Sequence, residues 1–286
     1  MSNNTIHLIT TRNWMVEELK TTSWEVEHSW GFDLPHHTPD DSWWLPQAQA
    51  VMLLNTLQKA GLPEIRFTAP NPNLLSLTPK EFTGRTIQTL TVSEATNSLV
   101  PWESGLWWKL ATAKNEHFPA DVRDHEEMME TIKTLNLPAS TILQVSTPIA
   151  GILSEHRFFI ASRRRKHRIL ASSGYMKNNE LEEDPTKHDQ SHVQQATELI
   201  RSWLKTNQEP LPPGFVADVA VTRNGPVILE FNPAWCAGWY AADLEQVLNT
   251  VRRSVHPTET EYKHHRWVPD PHLTDKYGNR VMHINP

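Results

Sequence analysis

Asp218, Glu230 and Asn232 fall within one stretch, GFVADVAVTRNGPVILEFN at residues 214–232, and all three offer hard oxygen donors. Residues 215–222 and 226–232 alternate and are rich in Val, Ile and Phe, which predicts two strands joined at Arg223-Asn224-Gly225. Two registers are open. A two-residue Asn224-Gly225 loop pairs Asp218 with Phe231 and sends the two acids to opposite faces. A three-residue loop, with Gly225 in the left-handed conformation of a bulge, pairs Asp218 directly with Glu230 and puts Asn232 on the same face. The second register is the expected one, because it leaves an apolar face of Phe215, Ala217, Val219, Val221, Val227, Leu229 and Phe231. Carboxylates side by side repel unless one is protonated or a cation lies between them. Two carboxylates and an amide oxygen suit Mg²⁺, which keeps its other positions for water and phosphate. The plainer alternative is a solvent-facing hairpin whose acids meet only water.

Periodicity outlines the elements that must position this hairpin. Strands are expected at 5–10, 65–67, 85–92, 105–110, 141–146, 155–160 and 169–175. A helix over 47–60 has Val51, Leu54, Leu57 and Gln58 in helical spacing, and Gly61 stops it. Thr78-Pro79 reads as a helix start with its cap at Thr78. Amphipathic helices are expected over 121–135, 190–206 and 243–255. Residues 11–44 resolve only into short elements, and the tail after Pro257 has little periodicity. Glu155 and Arg157 stand two apart, hence on one face of their strand, with Phe158 and Ile160 on the other.

An aspartate on one strand followed by Glu-x-Asn on the next resembles the metal-binding hairpin of the ATP-grasp superfamily. With the continuation NPAWCAGWY, and with Glu155-x-Arg157 opening a strand answered by residues 169–175, the chain is most similar to a bacterial and phage clade named for two arginines and a lysine. The resemblance covers roughly residues 100–245. It implies an α/β and α+β fold: a small N-terminal α/β domain (1–97), a two-subdomain ATP-grasp module (98–256, divided near 146) and a C-terminal tail (257–286). It implies that Asp218, Glu230 and Asn232 hold Mg²⁺ and that Lys109 and Lys114 contact ATP phosphates. Gln144, Val145 and Ser146 are then expected at the adenine edge through main-chain atoms, and Glu155 at a ribose hydroxyl or substrate amine. Arg157 and Lys114 take the catalytic positions, Arg157 at the γ-phosphate or an acyl phosphate, where its fork matches the anion. Ala111, Thr112 and Ala113 stand where better-known branches carry lid glycines. The implied activity is an ADP-forming carboxylate–amine ligase working through an acyl phosphate; a kinase on the same fold and a non-catalytic nucleotide-binding module are the alternatives. The implied partners are ATP, a carboxylate and an amine.

Other candidates carry less. His36, His37, Asp40 and Asp41 match no zinc spacing. The run Arg163-Arg164-Arg165-Lys166-His167-Arg168 lies between two predicted strands and reads as a solvated turn, with an anion-binding loop as the alternative. Cys236, the sole cysteine, has no evident base and reads as a small hydrophobe.

The chain has 286 residues, about two domains at ~150 residues each. Its net charge of -6 gives no general attraction to nucleic acid or acidic membranes, so neither is an expected partner. The single cysteine precludes an internal disulfide, and no signal-like or membrane-spanning run is evident, so the cytoplasm is the expected compartment. Neither GxxxxGK nor GxGxxG occurs, so a nucleotide must be held by another architecture.

Overall fold

The computed structural model describes residues 4–31, 33–34, 36–38, 40–97, 105–112, 118–163 and 166–284. The first part of the chain runs β1 (Thr5–Ile9), α1 (Asn13–Leu19), β2 (Glu25–Ser29), β3 (Asp33–Leu34), β4 (Ser42–Trp44) and α2 (Gln47–Ala60). Next come α3 (Leu74–Leu77), α4 (Lys80–Thr83), β5 (Ile87–Thr91), α5 (Val92–Thr96), β6 (Leu106–Leu110), β7 (Asp121–Arg123), α6 (His125–Thr134) and β8 (Ile142–Ser146). The long strands follow: β9 (Ile152–Arg163), β10 (Lys166–Lys177) and β11 (Glu180–Leu181), then α7 (Gln190–Thr206), β12 (Gly214–Thr222) and β13 (Gly225–Pro233). The chain closes with α8 (Leu244–Val255), α9 (Glu259–His265), α10 (Pro271–Tyr277) and β14 (His283–Ile284).

Three sheets matter for function. β2, β1 and β4 pair in parallel, in that order, and every residue of the central β1 is buried. β5-β8-β6-β7 form an antiparallel sheet of four strands, and β11-β10-β9-β12-β13 an antiparallel sheet of five. α7 covers one face of the larger sheet, packing Ala196, Ile200 and Trp203 with Phe158, Ile160, Phe215, Ala217, Val219, Val221 and Ile228. α8 covers part of the other, where Val247, Leu248 and Val251 join Phe159 and Val216. The close approach of α8 explains Gly214: a Cβ there would lie 2.4 Å from the Thr250 carbonyl oxygen. Covered on both sides, β12 is buried over all nine residues, and it carries one charged group, Asp218. A charge in such a place is costly unless paired.

The hairpin register is the expected one, reached by a different route. Asp218 does face Glu230, yet Thr222 pairs with Gly225, so the tip is the two-residue loop Arg223-Asn224. The extra residue is Leu229, a bulge between the Asp218–Glu230 and Val219–Ile228 pairs. Ile228 is consequently the buried residue of that strand's outer half, in place of the expected Val227 and Leu229.

Other expectations also need correction. Residues 65–67 form no strand; the extended segment instead makes a single bridge at Thr68 to Arg266. Residues 121–135 divide, because Asp124 and Glu127 close a capping box and start α6 only at His125, after β7. At residues 78–80 the cap position is Pro79, and the Thr78 hydroxyl donates backward to the Leu74 carbonyl. β5 pairs with β8 in the four-stranded sheet, although the sequence groups it with residues 1–97. The tail is structured: α9 has a Thr258–Glu261 capping box, α10 starts at Asp270-Pro271, and β14 pairs with β3. No helix among the described residues is long and apolar enough to cross a membrane.

Candidate functional site

The site is built on one row across the larger sheet. Ser173, Arg157, Asp218 and Glu230 stand opposite one another on β10, β9, β12 and β13, so all four share a face. The Arg157 Nε donates to Asp218 Oδ1 at 2.8 Å and its Nη2 to Oδ2 at 2.7 Å, a bidentate pair in which Asp218 has no exposure. The third corner of the guanidinium donates to the Gly238 carbonyl at 3.0 Å. Burial opposes the charge on Arg157, but the Asp218 carboxylate more than offsets it and keeps the side chain firmly protonated.

Asn232 ties the acids together. Its Nδ2 donates to Glu230 Oε1 at 2.9 Å and to Asp218 Oδ2 at 3.2 Å. Lys109, on β6 of the other sheet, donates to Glu230 Oε2 at 2.6 Å and is a direct link across the gap between the sheets. Among the described residues, the two carboxylates therefore meet Arg157 and Lys109.

Asp218, Glu230 and Asn232, the side chains expected to hold Mg²⁺, are thus brought together on one face. The donors are carboxylates and an amide that already converge within hydrogen-bonding range. Among the described residues no three His, Cys, Asp or Glu side chains are placed to hold a metal ion.

Glu155 sits beside this row on the same face as Arg157, but its carboxylate accepts from the Tyr175 hydroxyl at 2.5 Å. Burial raises its pKa, and the charges of Asp218 and Glu230 add to the rise. The Tyr175 and Tyr240 rings stack at 4.6 Å, and the Arg157 Cζ lies 5.5 and 5.1 Å from their centroids. Tyr240 has φ of +51°, an uncommon value for a residue with a side chain, and one of the few such positions in the chain falls at this site.

Residues 144–146, expected at the adenine edge, lie on β8 in the four-stranded sheet. β8 is an inner strand, and its main chain is taken up by β5 on one side and β6 on the other. Val145 is buried and Ser146 Oγ accepts from Arg85 Nε at 3.2 Å. Gln144 does reach the cleft, although its side-chain amide donates to the Pro72 carbonyl at 3.1 Å. Lys114 and Ala113 lie outside the described residues, as do Arg164 and Arg165 of the basic run.

Arg85 is the residue that sequence reasoning missed. Besides Ser146 it reaches the carbonyls of Ile228 and Leu229, both at 3.1 Å. It therefore grips the bulge beside Glu230 while standing at the entry to the four-stranded sheet. Burial brings its pKa down to about 10, against the pull of Glu230. Of the other early candidates, Asp41 is structural: it accepts from His7 at 2.8 Å and from Thr38, anchoring its own loop.

Lys109, Gln144, Arg157, Glu230 and Asn232 line one cleft of about 1540 Å³ between the sheets and the N-terminal unit. A five-stranded sheet that presents paired acids and an amide toward a cation on a second, four-stranded sheet defines an ATP-grasp protein. Within that superfamily the chain belongs to family 2 of the clade named for two arginines and a lysine, whose ATP-grasp domain matches residues 82–250. No curated protein matches it in sequence. Among solved structures it is similar to a RimK domain ATP-grasp protein from Sphaerobacter thermophilus (13% identity, 88% of this chain and 99% of that one, TM-score 0.46). It is also similar to the L-amino acid ligase of Bacillus licheniformis (10%, 92% and 76%, 0.46). A third is N5-carboxyaminoimidazole synthetase of Staphylococcus aureus, complexed with ADP (11%, 88% and 76%, 0.45).

Proposed function

We propose that the protein is an ATP-dependent carboxylate–amine ligase that forms ADP and passes through an acyl phosphate. The observation that carries this reading is the row Arg157–Asp218–Glu230, with Asn232 and Lys109, facing a cleft large enough for a nucleotide and a second substrate. Bound to the two carboxylates and the amide, Mg²⁺ would supply neutralisation of phosphate charge. The chain's own groups do the remainder. Lys109 pairs with Glu230 and Arg157 with Asp218, and both basic side chains line the cleft where phosphate oxygens would lie. Lys109 then acts as a point charge and Arg157 as a fork. Gly238 and the stacked tyrosines keep Arg157 aimed along the row. No protein nucleophile is required, because positioning and charge stabilisation lower the barrier.

The test is isotopic. With ATP, a panel of ¹⁸O-labelled carboxylates and a set of amines, label should pass from carboxylate to inorganic phosphate, and phosphate release should need both substrates. Phosphate retained on a stable acceptor would identify a kinase. Nucleotide binding with no phosphate transfer to any acceptor would identify a binding module.

A further inference from the structure

We propose that Arg12, Trp14 and Trp30 form a substrate subsite of the cleft, selecting a carboxylate-bearing molecule with a flat aromatic group. The proposal rests on the ligase reading in taking the ligand as the substrate. The observations behind the pocket itself are separate.

The parallel sheet brings its three strand ends to one place. The loops after β1 (Thr10, Thr11, Arg12), after β2 (Trp30) and after β4 (Pro46) all line the cleft that holds Lys109, Arg157, Glu230 and Asn232. Crevices outside the carboxyl ends of parallel strands are where α/β sheets take ligands. Two large apolar rings stand in this crevice against the ordinary preference for burial. Trp14 is 47% exposed and Trp30 is 55% exposed, whereas Trp24, Trp43 and Trp44 of the same unit are buried.

Both rings are held rather than loose. Trp14 meets Trp239 edge-on at 6.1 Å, and Trp239 Nε1 donates to Glu18 on α1. Trp30 stands against His28 at 4.8 Å, and the His28 ring is fixed by a 2.8 Å contact with the Thr10 carbonyl. Aromatic surfaces so oriented can grip a planar group with little ordering cost.

Arg12 supplies the charge. It is exposed, lines the same crevice and makes no side-chain hydrogen bond or ion pair with any described residue. A guanidinium lining the same crevice as two open indoles is complementary to a molecule that carries both a carboxylate and an aromatic ring. The subsite also adjoins the reacting groups, because Trp239 precedes Tyr240, whose ring lies 5.1 Å from the Arg157 Cζ.

Three probes separate the contributions: 3-phenylpropionate carries ring and carboxylate, 2-phenylethanol the ring alone and propionate the carboxylate alone. Saturation-transfer NMR titrations of the full chain should show saturable 3-phenylpropionate binding, at least about tenfold tighter than either fragment. Trp14→Ala, Trp30→Ala and Arg12→Gln should each weaken it about tenfold, and none should change affinity for Mg²⁺ with a non-hydrolysable ATP analogue. All three positions are exposed, and an unchanged thermal midpoint checks that each variant is folded. Non-saturable binding, or variants that bind the probe like the parent, would overturn the proposal. So would sedimentation showing that the two indoles are covered by a second copy of the chain. Loss of analogue binding in the parent, with the probe still bound, would instead overturn the nucleotide reading and leave the pocket standing.

Discussion

Arg157 answers both oxygens of Asp218 in a place almost without solvent, and this decides what a substitution does there. Asp218→Ala strands a buried guanidinium and is expected to cost about 3–5 kcal/mol, read as a lower urea midpoint. Removing the pair together, as Asp218→Ala with Arg157→Met, is expected to cost less than the sum of the two single changes. Glu230 behaves differently because it is only half-buried. Glu230→Gln should leave the midpoint nearly unchanged and weaken Mn²⁺ binding, followed by electron paramagnetic resonance in the presence of an ATP analogue, by at least about tenfold. That Asp218, Glu230 and Asn232 share a face was legible from the alternation of the two strands, whereas the Lys109–Glu230 pair was not, since Lys109 was expected only at phosphates and through the resemblance. Arg85 was not legible. Its partners are main-chain carbonyls far along the chain, and a carbonyl leaves no mark in residue type.

At the scale of elements, the β12–β13 hairpin shows why a correct pairing can hide a wrong path. A three-residue tip, or a two-residue tip with a bulge farther on, sets Asp218 opposite Glu230 equally well. The alternating pattern fixed the faces of β12 but could not locate the extra residue on β13. Arg85 marks that residue in three dimensions. Arg85→Met leaves the Ile228 and Leu229 carbonyls without this donor and is expected to cost about 1–3 kcal/mol. It should also weaken binding of Mg²⁺ with an ATP analogue in calorimetry, with partial recovery in Arg85→Lys. Next to it, Gly84 has φ of +67°, and a Cβ there would meet Val227 Cγ1 at 2.6 Å; Gly84→Ala should therefore lower the thermal midpoint by several degrees. Long helices such as α2 and α7 were readable from their stripes. The seven-residue α1, α9 and α10 were not, because two turns give too few repeats.

For the molecule as a whole, acid should be destabilising. Burial brings the pKa of His156, beside His188 and His192, and that of His265 down to about 4. Above pH ~6.5 both histidines are neutral whether the chain is folded or not, and this contribution is complete. As pH falls from there toward 4, the unfolded chain takes up protons that the folded chain refuses, so stability declines by on the order of 3 kcal/mol for His156 and by less for the more solvent-screened His265. Urea midpoints measured across this range should fall, and His156→Gln should make the fall shallower. This arrangement left no sequence signal, since His156, His188 and His192 are brought together only when α7 packs on the sheet.

Arg85 also has a mechanical meaning. It joins the end of β8 to the bend in β13, at one corner where the two sheets meet. A corner pinned in this way would act as a fulcrum, so that a gap widening to admit a ligand is expected to swing rather than slide apart. Travel would then be smallest at Ser146 and Leu229 and greatest toward β7, with Lys109 on the arm between them. The reach from its ammonium to Glu230 would accordingly be a gauge of how far the jaws have opened.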